Sequence, residues 1–111
     1  MKTEIIFANE KIKKSFDKID KIEKDKTLSK WLNRALEDIE ENPFCGIQIP
    51  KKQIPKEYIK KYRIKNAFKY NLPNAWRLIY SLEKGEVSIV AIVLEWFPHK
   101  EYEKRFKYLL F

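Results

Sequence analysis

Apolar positions recur along the chain with two different periods, and the change of period divides it. Ile12, Phe16, Ile19 and Ile22 are separated by four, three and three residues, the spacing that lines one face of an α-helix. They predict a helix over residues 12–24. After the polar interval Glu23–Lys26, a second stripe of Leu28, Trp31, Leu32, Ala35, Leu36 and Ile39 predicts a helix over 28–41, with Thr27 as its N-cap and Asn42-Pro43 as its stop. Together they form a hairpin of amphipathic helices. Trp31 lies inside its stripe beside leucines, which assigns it to the core rather than to a base-stacking surface. Ile5, Ile6 and Phe7 make a short apolar stretch at the start, readable as an edge strand.

From residue 68 the period falls to two. Phe68, Tyr70 and Leu72 alternate with Lys69 and Asn71, and Trp76, Leu78, Tyr80 and Leu82 alternate with Arg77, Ile79 and Ser81. Pairing apolar with apolar puts Leu72 opposite Trp76, Tyr70 opposite Leu78 and Phe68 opposite Tyr80, across a three-residue loop containing Pro73-Asn74. Asn71 then faces Arg77 on the other side of the sheet, with Lys69 diagonal to it. A tight turn at Lys84-Gly85 would pair Leu82 with Val87, Tyr80 with Ile89 and Leu78 with Ala91, and set Arg77 beside Ile92. The stretch Val87–Trp96 is apolar on both faces, as a central strand requires, and Pro98 ends it. Between the two halves, Pro50–Pro55 reads as a loop. Pro55 then opens a third short helix with Tyr58, Ile59 and Tyr62 on one side and lysines on the other, and Tyr102, Phe106 and Leu109 suggest a C-terminal one.

These elements predict a single α+β domain spanning residues 1–111, with two N-terminal helices packed on one face of a twisted antiparallel sheet. The strands 68–72, 76–82 and 87–96 lie adjacent in that order. Trp76 and Tyr80 point to the helices, and Arg77 points away from them.

At 111 residues, 44% of them hydrophobic and 14% aromatic, the chain has the apolar content for one core and too much of it for disorder. Its 24 Lys and Arg against 16 Asp and Glu give a formal +8, which suits a polyanion or an acidic partner protein and equally suits a solvated lysine-rich surface. Cys45 is the only cysteine, so no intrachain disulfide or thiolate cluster forms and a metal would need oxygen ligands. No metal or cofactor is expected. With no secretory signal and no apolar run long enough for a bilayer, a cytoplasmic protein is expected, with no membrane partner.

The end of the last strand lies at the same end of the sheet as the start of the Arg77 strand, so His99, Lys100 and Tyr102 are expected to converge with Arg77, Lys69 and Asn71. RNA can be cut there without metal. Its own 2′-hydroxyl attacks the adjacent phosphate when a base takes the hydroxyl proton, an acid protonates the leaving oxygen and cations stabilise the charge. His99, the only histidine, belongs to the residue type that exchanges protons near neutrality. Arg77 suits the phosphate because its planar fork donates two hydrogen bonds at once. A guanidinium among Ile79, Val90 and Ile92 needs an anionic or backbone partner, and an ion pair with Glu95 is the competing assignment. Glu95 itself is a candidate base or orienting group for His99. Tyr102 is either a catalytic or stacking group or a packing residue.

Two segments carry a family resemblance. Trp76-Arg77-Leu78-Ile79-Tyr80 resembles the aromatic-Arg-Leu-(Ile/Val)-Tyr strand of the RelE/ParE superfamily of toxins from bacterial and archaeal toxin-antitoxin pairs. Pro98-His99-Lys100-Glu101-Tyr102 resembles the C-terminal histidine segment of its YoeB and YafQ ribonuclease branches. The resemblance implies a small RelE-like domain in which Arg77 binds the phosphate and His99 serves acid-base chemistry. It also implies cleavage of mRNA in the ribosomal A site and silencing by an acidic antitoxin protein encoded nearby. The candidate catalytic set is therefore Arg77, His99 and Tyr102, and the candidate RNA-binding set Lys69, Asn71, Lys100 and Arg105. The RelE branch has two alternating lysines before the arginine strand, where this chain offers Lys69 alone. A gyrase-inhibiting toxin of the ParE branch is thus the implied alternative, and a non-catalytic RNA- or antitoxin-binding module a further one.

Overall fold

A computed structural model describes residues 2–21 and 26–106. Ile22 and Leu109, expected to extend two of the apolar stripes, lie outside the described residues.

The chain runs β1 (Lys2–Phe7), α1 (Glu10–Lys21), α2 (Lys26–Glu41), β2 (Ile47–Gln48), a 3-10 turn (Lys51–Gln53), α3 (Lys56–Tyr62), β3 (Phe68–Asn71), a 3-10 turn (Pro73–Ala75), β4 (Trp76–Lys84), β5 (Ser88–Pro98) and α4 (His99–Phe106). It is a small α+β domain with four helices and a five-stranded sheet ordered β1-β5-β4-β3-β2 among the described residues. None of the described helices is long and apolar enough to cross a membrane.

The sheet is mixed, not antiparallel throughout. β1 runs parallel to β5, from Lys2 opposite Ser88 to Phe7 opposite Val93, and the Ala8 amide donates to the Val93 carbonyl at 2.9 Å. Parallel neighbours need a long crossover, which the intervening helices and hairpin supply. The remaining pairs are antiparallel.

Both faces of the sheet are covered. On one, Leu32, Ala35 and Ile39 of α2 are fully buried against Phe68, Leu78, Tyr80 and Val93, with Phe16 and Ile19 of α1 and Trp31 packed alongside. Trp31 is partly buried at the margin of this core rather than inside it. On the other, Tyr58 of α3 and Tyr102 and Phe106 of α4 close over Ile79, Leu94 and Phe97. α1 starts where the Asn9 side chain accepts the Ile12 amide at 2.9 Å, the bond an N-cap makes. Thr27 lies within α2 rather than at its cap. α3 follows Pro55 as expected, but only Tyr58 of its apolar residues is buried, while Ile59 is 45% exposed. The Pro50–Pro55 segment is ordered by its own 3-10 turn and by burial of Ile49 and Ile54 on either side.

The β3–β4 hairpin has the expected register, with Phe68 opposite Tyr80, Tyr70 opposite Leu78 and Asn71 opposite Arg77. The Leu72 amide donates to the Trp76 carbonyl at 2.9 Å across the three-residue loop. Asn74 and Ala75 both have positive φ there, 57° and 61°, which an asparagine accepts more readily than an alanine. Beyond the start of β3, Asn66 prolongs the pairing with its side chain. It accepts from the Leu82 amide and the Ser81 hydroxyl, at 2.8 and 3.0 Å, and donates to the Leu82 carbonyl at 3.0 Å.

The expected β4–β5 register is corrected. Leu82 pairs with Ala91 and Tyr80 with Val93, and Arg77 pairs with Phe97 rather than Ile92. The loop is longer than a tight turn at Lys84-Gly85: Lys84 pairs with Ile89, and the Gly85 amide donates to the Ser88 carbonyl at 2.8 Å. Between Tyr80–Val93 and Ile79–Glu95 the ladder skips Leu94, a β-bulge. Leu94 and Glu95 consequently follow one another on the same face, and Phe97 and the strand end are carried toward Arg77.

Candidate functional site

Arg77 leaves β4 on the face away from α1 and α2. Its guanidinium carbon lies 5.9 Å from the centre of the Tyr102 ring, Nη1 donates to the Trp76 carbonyl at 3.2 Å, and Nη2 is 3.4 Å from His99 Nδ1. Nε is buried and has no hydrogen-bond partner among the described residues. A buried donor left unmade costs about 1–3 kcal/mol, so this nitrogen is a demand for an acceptor that the described residues do not meet.

The competing assignment, an ion pair between Arg77 and Glu95, is not formed. The bulge brings Glu95 to the Arg77 face, but its carboxylate accepts from the Tyr58 hydroxyl and pairs with Arg105 Nη1. Arg105 reaches Glu101 as well, at 3.2 Å, and lies 5.0 Å from the Phe97 ring. Burial is the largest single influence and works against the Arg105 charge, but Glu95, Glu101 and Tyr58 together outweigh it, so the guanidinium is held above its ordinary range. Burial, reinforced by the Glu95 carboxylate, raises the Tyr58 hydroxyl far above the usual phenol. Arg105, expected to bind RNA, is therefore already engaged by two carboxylates. Glu95 likewise is committed to α3 and α4 rather than to His99.

His99 is the first residue of α4, placed by the end of β5 directly after Pro98. A guanidinium only donates, so the Nδ1 facing Arg77 is the accepting nitrogen, and the ring's proton is assigned to Nε2. Nε2 faces the Glu103 carboxylate at 3.4 Å, one helical turn further on. Glu103 was not foreseen: with α4 expected to begin at Tyr102, the four-residue spacing from His99 carried no helical meaning.

Tyr102 is 2% exposed. Its ring stacks on Phe106 at 4.6 Å, lies 6.4 Å from the His99 ring at an interplanar angle of 21°, and has Lys69 Nζ 5.0 Å from its centre. The ring is thus a platform on which Arg77 and Lys69 both rest, a favourable placement for cations, and its burial fits packing rather than direct contact with a polymer. Lys69 shares the Arg77 face, opposite Ile79. Asn71 stands across from Arg77 in the β3–β4 register and is exposed, as is Lys100 in the first turn of α4. Neither makes a side-chain hydrogen bond or ion pair among the described residues.

The structure therefore gathers Arg77, His99, Lys69 and Tyr102, sets Asn71 and Lys100 at the margin, and ties Arg105 elsewhere. Two cations and an imidazole meet at one open end of the sheet. Such a group can hold a phosphate by charge-assisted hydrogen bonds from Arg77 while the imidazole exchanges a proton with a neighbouring hydroxyl. Among the described residues, no group of three or more His, Cys, Asp or Glu is placed to hold a metal ion. Compared with protein-family models, curated proteins and solved structures, the chain matches none of them.

Proposed function

We propose that the chain is the toxin of a type II toxin-antitoxin pair, an mRNA endoribonuclease of RelE-like architecture that acts on the ribosome in the cytoplasm. The observation that carries this reading is the Arg77–His99 approach at 3.4 Å, with Arg77 free of any carboxylate among the described residues and its Nε unused. It is supported by the resemblance of the Trp76–Tyr80 strand and the Pro98–Tyr102 segment to the RelE/ParE toxins, and by the formal +8 charge.

In this reading the scissile phosphate takes the place that Arg77 and Lys69 leave for an anion. The RNA 2′-hydroxyl loses its proton, attacks phosphorus and expels the 5′-oxygen, which is protonated as it leaves. The products are a cyclic phosphate and a free 5′-hydroxyl. Arg77 stabilises the charge on the pentacoordinate phosphorus and His99 moves one of the two protons. Asn71 and Lys100 orient the flanking RNA. An acidic antitoxin covers the basic face until it is released.

The test incubates the purified protein with mRNA, with and without ribosomes. Fragments ending in cyclic phosphate and beginning with 5′-hydroxyl are expected when ribosomes are present, and none from a message whose cleavage-site 2′-hydroxyl is replaced by hydrogen. Inhibition of gyrase without RNA cleavage would instead establish the ParE-type activity.

A further inference from the structure

The fifteen residues 51–65 hold seven Lys and Arg and one carboxylate, Glu57, a formal +6 of the chain's +8. All of these basic residues are exposed, and none pairs with a carboxylate among the described residues. Among the described residues outside it, Lys13, Arg34 and Arg105 pair with carboxylates, and lysines such as Lys11, Lys14 and Lys30 do not, so the segment is set apart by its density of like charge. Helix stability does not explain that density. Lys60 and Lys61 stand at the C-terminal end of α3, where a cation is favoured, but Lys56 stands in the first turn, where it is not, and Lys56 and Lys60 are like charges four residues apart.

This segment is on the same side of the sheet as Arg77 and is braced against it through the core by a row of largely buried rings. Tyr62 meets Tyr58 at 5.7 Å, Tyr58 meets Phe106 at 5.6 Å, and Phe106 meets Tyr102, which lies beneath Arg77 and beside His99. The Tyr58–Glu95 hydrogen bond fixes α3 to β5 at the bulge.

We propose that the 3-10 turn and α3 form a track for the phosphates of single-stranded RNA, leading away from the Arg77–His99 centre, with Lys52, Lys56 and Lys60 as its phosphate contacts. The inference rests on the ribonuclease reading for its substrate and assigns that site a second, non-catalytic element. Exposed lysines on the same side of the sheet as a phosphate site suit a nucleic-acid backbone without reading its sequence.

The test is the salt dependence of binding to an unstructured RNA of about 12 nucleotides, its 2′-hydroxyls methylated so that it cannot be cut. Each phosphate contact on a single strand contributes about 0.7 to the slope of log affinity against log salt. The full chain carrying Lys52→Gln, Lys56→Gln and Lys60→Gln should lose about 2 from that slope, and the corresponding Arg variant should keep it. A protein of equal net charge carrying Lys14→Gln, Lys21→Gln and Lys30→Gln, changed on the helix-covered face, should keep the wild-type slope.

An unchanged slope in the first variant, or an equal loss in the two Gln variants, overturns the track. So does lysine-dependent binding of polyglutamate in place of RNA, which would make the segment a docking surface for an acidic protein. Wild-type protein that binds RNA through these lysines yet never cleaves message supports the track while removing the ribonuclease reading. Cleavage with an unchanged slope does the reverse.

Discussion

The Glu95 carboxylate pairs with Arg105, ten residues further along the chain, and leaves Arg77 on the same sheet face without a carboxylate among the described residues. One ion pair thereby docks α4 against β5 and frees the other guanidinium. Since Arg105 is partly exposed, Arg105→Ala should destabilise the protein by about 1 kcal/mol or less, and Tyr58→Phe, which removes the hydroxyl donated to Glu95, by about 1–2 kcal/mol. Denaturant unfolding measures both. Arg105→Gln should lower stability while leaving the salt slope of RNA binding unchanged, because its charge is already answered by Glu95 and Glu101.

Tyr80 anchors the loop that follows α2. Its hydroxyl donates to the Pro43 carbonyl at 2.8 Å and accepts from the Gly46 amide at 3.0 Å. A Cβ at Gly46 would lie 2.6 Å from that hydroxyl and 2.9 Å from the Lys69 carbonyl. Gly46→Ala should therefore destabilise by about 1–3 kcal/mol, and Tyr80→Phe should relieve it only in part, since the Lys69 backbone still obstructs. A double mutant recovering full stability would contradict this packing.

The Tyr70–Asp38 pair predicts a window of pH. The Tyr70 hydroxyl donates to Asp38, which holds that carboxyl below its ordinary 3.8, while burial and then the Asp38 carboxylate push Tyr70 up to about 12 from 10.0. A depressed carboxyl stabilises the fold above its ordinary value and stops doing so as pH falls through the folded one. A raised phenol stabilises below pH 10 and loses this as pH climbs toward 12. The stability gap between wild type and Tyr70→Phe should be flat from about pH 5 to pH 9 and narrow on either side. Unfolding midpoints across pH check it, and a gap widening above pH 10 would reverse the sign.

Arg77→Lys keeps the charge and loses the planar fork. If phosphate stabilisation depends on paired donors, cleavage should fall by about 10²–10³-fold in Arg77→Ala, as on loss of a transition-state donor, and Lys should recover only part of it. Single-turnover rates at saturating message distinguish the two.

Much of this arrangement was legible in the chain because strand alternation assigns faces even when register slips. Pairing apolar with apolar fixed Phe68 opposite Tyr80 and Asn71 opposite Arg77, and a three-residue loop left no competing register. The β4–β5 register failed because Lys84-Gly85 looks like a tight turn, whereas the actual loop shifts the pairing by four residues and the Leu94 bulge adds one more. The four-residue shift kept each side chain on its face, and the bulge then moved the strand end toward Arg77, so the expected meeting with His99 survived a wrong register. Two kinds of feature left no local trace. The parallel contact of β1 with β5 and the two-residue strand β2 are decided by long-range pairing. The partners of Glu95 depend on the bulge, which turns it toward Tyr58 and Arg105 instead of following alternation.

The central claim is that Arg77 and His99 form one centre for RNA cleavage, and the single-turnover cleavage rate of His99→Ala relative to wild type, at matched RNA occupancy, tests it most directly. A group that transfers a proton in the transition state contributes about 10²–10⁴-fold, so the rate should fall by that much while message affinity stays close to wild type. A His99→Ala protein that cleaves ribosome-bound message at the wild-type rate would contradict the account.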